Sequence, residues 1–139
     1  EPNNYDSSNL SWNDNIFVRE GNRTLVISYG LCFNILNNLF IDSFKNIGLV
    51  NCIFPFPANE EFTEKVFSEY NNIIVVEDHL YQYGLCYQLK HHAYDCGYKG
   101  KIVGINLENK FFKPTLLNDL LEFEGFSKQK LKQRIKVLI

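Results

Sequence analysis

The sequence contains no methionine, and only one tryptophan, four prolines and four cysteines in 139 residues. No apolar run approaches the roughly 20 residues that span a bilayer, which excludes a membrane helix. Neither charge sign dominates. Fourteen basic residues against 16 acidic ones leave a net charge of −2, which excludes a basic nucleic-acid footprint and an acidic tail. Neither nucleic acid nor membrane is therefore expected as a partner. Residues 1–10 lack the basic start and apolar core of a signal peptide. Cys32, Cys52, Cys86 and Cys96 form no CxxC pair. Each lies in an apolar run, where a thiol acts as a small buried hydrophobe. We expect them reduced and structural, as in a cytoplasmic protein. A chain that begins at Glu1 and holds no methionine is expected to be a processed product, an excised fragment or a piece of a longer chain.

What is present is α/β grammar. A mass of 16.3 kDa fits one domain, and 45% hydrophobic residues suffice for a core. Residues 1–15 are polar and aperiodic and read as a linker or arm, with Trp12 its one large apolar anchor. Ile16–Val18 is a short β-prone run closed by Glu20-Gly21-Asn22. Thr24–Ser28, Leu49–Ile53, Ile73–Val76 and Lys101–Ile105 read as strands, most of them continuously apolar. Such strands are buried on both faces. Between them, residues 31–45, 60–70 and 84–96 show helical spacing, with Asn59 as an N-cap. Two more helices are expected over 114–124 and 127–138, with Gly125 as a stop and Ser127 as a new N-cap. The expected fold is a three-layer α/β/α sandwich over residues 16–139 with a mostly parallel sheet.

In such sheets sites lie beyond the carboxyl ends of the strands. Here those ends carry Ser28-Tyr29-Gly30, Cys52–Pro57 and Glu77-Asp78-His79. The last cluster has the groups for acid–base work or metal binding. Successive side chains on an extended chain point in opposite directions, so a loop that makes contacts is the preferred reading. His92 and Cys96 are spaced i, i+4 but make only half a metal site, so a surface histidine pair at 91–92 is preferred. Tyr29-Gly30-Leu31-Cys32 has one glycine, too few for a dinucleotide fingerprint. Tyr81, Tyr83, Tyr87, Tyr94 and Tyr98 crowd one helix, as at a covered surface. No catalytic, cofactor-binding or metal-binding residue is assigned. The candidate interface residues are Tyr29, Gly30, Glu77, Asp78, His79, Tyr81, Tyr83 and Gly84.

Four segments in order carry a family resemblance. Val75-Val76-Glu77-Asp78-His79 with the Gly84 turn resembles the C-terminal domain of transketolases. So do Arg19-Glu20-Gly21 before Leu25–Gly30, Pro57 before Asn59-Glu60-Glu61, and Lys113-Pro114 before Leu120-Leu121 and Gly125-Phe126. The resemblance implies a five-stranded sheet whose first strand, Ile16–Arg19, is antiparallel. It also implies a non-catalytic domain serving assembly of a dimeric enzyme that moves ketol units between sugar phosphates. Thiamine diphosphate and Mg²⁺ would sit in other domains of that parent, and those domains or subunits would be the partners.

The sequence departs from the pattern at two places. A family Gly-Gly-Leu-Gly turn is here Tyr83-Gly84-Leu85-Cys86, and Asp-Leu-Arg is here Asn51-Cys52-Ile53. The arginine's family role therefore does not transfer. The same domain type closes deoxyxylulose-phosphate synthases and 2-oxoacid dehydrogenase β subunits, which the Asp-His pair disfavours. A different class of reading is a free-standing module that binds a small anion or a protein through loops 29–32, 53–57 and 77–83.

Overall fold

The structure is a computed structural model, and it describes residues 15–139. The elements in chain order are β1 (Asn15–Arg19), β2 (Thr24–Ser28), α1 (Gly30–Phe40), β3 (Gly48–Cys52), α2 (Glu60–Glu69) and β4 (Asn72–Leu80). A 3₁₀ turn (Tyr81–Tyr83), α3 (Leu85–Cys96), β5 (Lys101–Leu107), α4 (Leu117–Phe123) and α5 (Lys128–Leu138) follow. The five strands form one sheet in the order β1-β3-β2-β4-β5. β1 runs antiparallel to β3, and the remaining pairings are parallel. The α/β class and the mixed sheet agree with the sequence reading.

The apolar runs explain the layers. In β2, Leu25, Val26 and Ile27 are all fully buried, as are Ile73–Val76 in β4. Alternate residues serve opposite faces. Val26, Ile74 and Val76 pack with α1, α4 and α5, whereas Leu25, Ile27, Ile73 and Val75 pack with α2 and α3. A strand covered on both sides has no polar face to show.

Several boundaries differ from the sequence reading. The helix expected over 31–45 ends at Phe40, and Phe44 takes a positive φ of 58°. Arg19 supplies the reason. Its guanidinium donates to the carbonyls of Phe40 (3.1 Å), Ser43 (3.2 Å), Phe44 (2.8 Å) and Ile47 (3.1 Å). These carbonyls turn toward one cation instead of continuing a helical ladder. The strand expected to stop before Glu77 continues to Leu80, which pairs with Leu107 past an irregular register. The helix expected from 114 begins at Leu117, because Leu116 is extended at φ −67°, ψ 147°. Asn59 caps α2 by accepting from the Phe62 amide at 2.7 Å. Ser127 stands at the N-cap of α5, but its side chain makes no capping bond. The arm expected over 1–15, with Trp12, lies outside the described residues except for Asn15, which opens β1. Among the described residues no helix is long and apolar enough to cross a membrane.

Candidate assembly surface at the carboxyl ends of the strands

β2 and β4 are neighbours, but the chain leaves them in opposite directions. From β2 it passes through α1 to β3 on one side, and from β4 through α3 to β5 on the other. The crevice between their carboxyl ends is the switch point where sheets of this kind take ligands. Tyr29 stands just past β2, and Glu77 lies in β4. The Tyr29 hydroxyl donates to Glu77 Oε2 at 2.9 Å across this crevice. Burial, followed by the charge of Glu77, pushes the Tyr29 hydroxyl far above the usual tyrosine range. Tyr29 therefore remains a protonated donor.

Glu77 is fully buried. Besides Tyr29, it accepts from the Leu85 amide (2.7 Å), the Cys86 amide (3.0 Å) and Asn106 Nδ2 (2.6 Å). Leu85 and Cys86 open α3, so the carboxylate sits on amides that the helix itself cannot satisfy and meets the positive end of its dipole. Gly84 makes the approach possible. A Cβ there would fall 2.6 Å from Glu77 Cδ and 2.7 Å from Oε2. Thus Tyr29, Glu77 and Gly84 are brought together as an internal support. Gly30 is exposed at the start of α1 with a φ of 57°.

The rest of the candidate set faces outward around this support. His79 is exposed, and its Nδ1 accepts from the Leu80 amide at 2.9 Å. Its ring meets Phe56 edge-on at 6.1 Å, and Phe56 meets Tyr29 edge-on at 6.0 Å. Tyr81 is half-buried, with Lys90 Nζ 5.0 Å over its ring and Tyr87 edge-on at 5.9 Å. Tyr83 is 73% exposed, and Phe56 and Tyr87 are also exposed. Asp78 is half-buried beside Cys32 and Tyr29, and its charge contributes to raising both their pKa values. The result is an aromatic shelf on a hydrogen-bonded base.

The other sequence candidates separate. His91 Nδ1 lies 3.1 Å from Asp95 Oδ2 on the surface, and the His92 ring lies 6.2 Å from Phe67. The Cys96 thiol bonds the Ala93 carbonyl. No three His, Cys, Asp or Glu side chains converge as metal ligands among the described residues. Tyr98 is structural, stacked 4.4 Å from Phe67 with its hydroxyl on the Tyr70 carbonyl, while Tyr94 is exposed. Cys32, Cys52 and Cys86 are buried free thiols as expected, but Cys96 is exposed in the last turn of α3. Burial pushes Cys32 and Cys52 up to about 12 and Cys86 up to about 11.

A second exposed apolar surface escaped the sequence reading. Phe111, Leu116, Leu117 and Phe123 are exposed, and a cavity of about 390 Å³ opens among Phe111, Phe112, Leu120 and Phe123. Lys110 spans its edge, 2.9 Å from the nearly buried Glu124 carboxylate and 3.2 Å from Glu108. The available signal was the pair Leu116-Leu117 at the N-cap and first position of a helix whose buried position is Leu121.

No protein-family model and no curated protein matches this sequence. Solved structures do match. A structure titled as a split gene transketolase, inactive β4 tetramer, superposes with a TM-score of 0.77 at 14% identity over 93% of this chain. The fold resembles a transketolase domain. This chain spans 43% of the length of that transketolase chain, so the likeness concerns one part of it. At 14% identity the transketolase likeness is one of architecture, and the side-chain geometry above belongs to this chain.

Proposed function

We propose that this chain is the C-terminal, non-catalytic domain of a transketolase-like enzyme and works by assembly with the parts that bind thiamine diphosphate and Mg²⁺. The supporting observation is the likeness of 93% of the chain to a split gene transketolase that forms an inactive β4 tetramer. In this reading the cofactor lies in those other parts and not in this domain. Among the described residues, the fully buried carboxylate, Glu77, already accepts four hydrogen bonds from the chain, and no metal-ligating trio converges. The aromatic shelf at Phe56, His79, Tyr83 and Tyr87 and the apolar stretch at Phe111–Phe123 are the surfaces to be covered, since large contiguous apolar exposure marks interaction sites. The parent would be dimeric and would transfer ketol units between sugar phosphates in the cytoplasm.

The test is to isolate the chain from the cells that make it, under native conditions, and to measure mass and thiamine diphosphate content. The expected result is a species well above 16.3 kDa that carries the cofactor. A species of 16.3 kDa with neither cofactor nor partner overturns the reading.

A further inference from the structure

α5 and α2 lie on opposite faces of the sheet and carry opposite charge. α5 reads Lys128-Gln-Lys130-Leu-Lys132-Gln-Arg134-Ile-Lys136, five cations with no acidic residue in the helix. Two of them have duties inside the domain: Lys130 donates to the Glu122 carbonyl at 2.6 Å, and Arg134 reaches the Glu124 and Gly125 carbonyls. Lys128, Lys132 and Lys136 do not. They recur every four residues, which places them along one side of the helix, and none takes part in an ion pair among the described residues. The helix packed beside α5 is α1, which contains no charged residue at all. α4, on the same face, carries Asp119 and Glu122, but Glu122 pairs with Lys130 at 3.6 Å, and no ion pair among the described residues joins either acid to the lysine row.

α2 is the complement. It has four glutamates against one lysine, and Glu60, Glu61 and Glu64 are exposed and outside every ion pair among the described residues. Glu60 and Glu64 have the same four-residue spacing as Lys132 and Lys136. The lone cation, Lys65, is drawn aside over the Phe17 ring at 4.3 Å.

We propose that a second copy of this chain is the occupant of the lysine row, with α2 of one copy docking on α5 of the next. The charge complementarity of the two helices, at matched spacing on opposite faces, is what points to a copy of the chain. Such a contact joins different surfaces, so it propagates from copy to copy and stops only if it closes a ring. Exposed ion pairs each add little affinity and are screened by salt. The association is therefore weak, quick to form and salt-labile. This proposal does not depend on the enzyme reading, because it concerns the isolated chain.

The experiment is sedimentation velocity on the full chain over a range of concentration, at low and at high salt. At low salt the average mass should climb with concentration past the dimer, and at high salt it should return to the monomer. Lys132→Glu with Lys136→Glu should leave a monomer at low salt, and so should Glu60→Lys with Glu64→Lys. Mixing the two variants should restore association, because each supplies a helix complementary to one on the other. Circular dichroism checks that both variants are folded, as expected for the exposed Glu60, Glu64 and Lys136 and the half-buried Lys132. A monomer under every condition overturns the proposal. So does association that persists in both charge-reversed variants, or that is lost on Leu117→Ser and Phe123→Ser but not on charge reversal.

Discussion

Glu77 occupies the space that a side chain on Gly84 would need, with its Cδ 2.6 Å from where that Cβ would stand. The two positions are seven residues apart and fit as one piece, because the carboxylate must enter past residue 84 to reach the amides of Leu85 and Cys86. Gly84 itself has φ −91°, which any residue can adopt. The demand for glycine here is spatial.

Gly84→Ala should therefore destabilise the domain by about 1–3 kcal/mol, the usual cost of overfilling a packed site. Glu77→Ala should cost at least as much, since each buried donor left without an acceptor costs about 1–3 kcal/mol. In the double variant the effects should fall short of their sum, because without Glu77 the alanine methyl has room. Urea denaturation of the four proteins measures this. Additive losses would mean that the two residues do not share the space.

Alkaline stability follows from buried groups held protonated. In the folded chain burial lifts Cys32, Cys52 and Cys86 to about 11–12, from about 9 when exposed, and lifts Tyr29 well above 10. The unfolded chain loses these protons first, so it binds fewer protons than the folded chain in that range. Stability should be at its full value below about pH 8.5 and fall as pH rises toward 11. Urea midpoints from pH 7 to 11 should show the decline, and Cys86→Ala should make it shallower.

Thiol accessibility separates the four cysteines. In the native chain a neutral disulfide reagent should modify Cys96 quickly, while Cys32, Cys52 and Cys86 react only on unfolding. Counting released chromophore with and without denaturant gives the answer. A rapid second equivalent in the native chain would contradict the burial.

Arg19 should be irreplaceable by lysine. Its planar fork reaches four carbonyls and lies 4.9 Å over the Phe40 ring, whereas an ammonium offers three donors about one point. Arg19→Lys should cost about 1–2 kcal/mol, a range that allows for its partial exposure. Hydrogen exchange should rise first in residues 41–47. Unchanged protection there would show that another interaction holds the turn.

On the assembly reading, Phe123→Ser and His79→Ala should weaken association with the cofactor-binding parts by roughly tenfold or more, with little change in the melting of the isolated chain. Turnover at saturating partner should stay close to the original. Titration of the partner against each variant distinguishes the terms. A large fall in turnover with affinity intact would assign His79 to the chemistry.

The layers were legible because Leu25–Ile27 of β2 and Ile73–Val76 of β4 are unbroken apolar runs, as a sheet covered on both faces requires. Asn59 and Gly125 marked helix ends because their roles are local: a side-chain cap for the first, and for the second a φ of 88°. The orientation of Glu77 was not legible. It is decided by amides eight and nine residues later and by Asn106 on another strand. The end of α1 was hidden for the same reason, since Arg19 lies more than 20 residues before the carbonyls it gathers. Cys96 looked like its fellows because a neighbouring apolar residue does not say which side of a helix a thiol occupies. The exposed prongs at Leu116 and Leu117 follow from where α4 starts, which the pattern misplaced by three residues.

The Tyr29–Glu77 bridge has a consequence for what can occupy the crevice between β2 and β4. A helix amino terminus at such a crevice is a ready socket for phosphate. In this chain the socket of α3 holds a plug made from the chain's own β4. An incoming anion would compete with a carboxylate that is tethered in place, at an effective concentration that free metabolites do not approach. It would also have to displace that carboxylate from Tyr29, Asn106 and the space beside Gly84 together. The crevice that a doubly wound sheet leaves open for cargo is here closed from within.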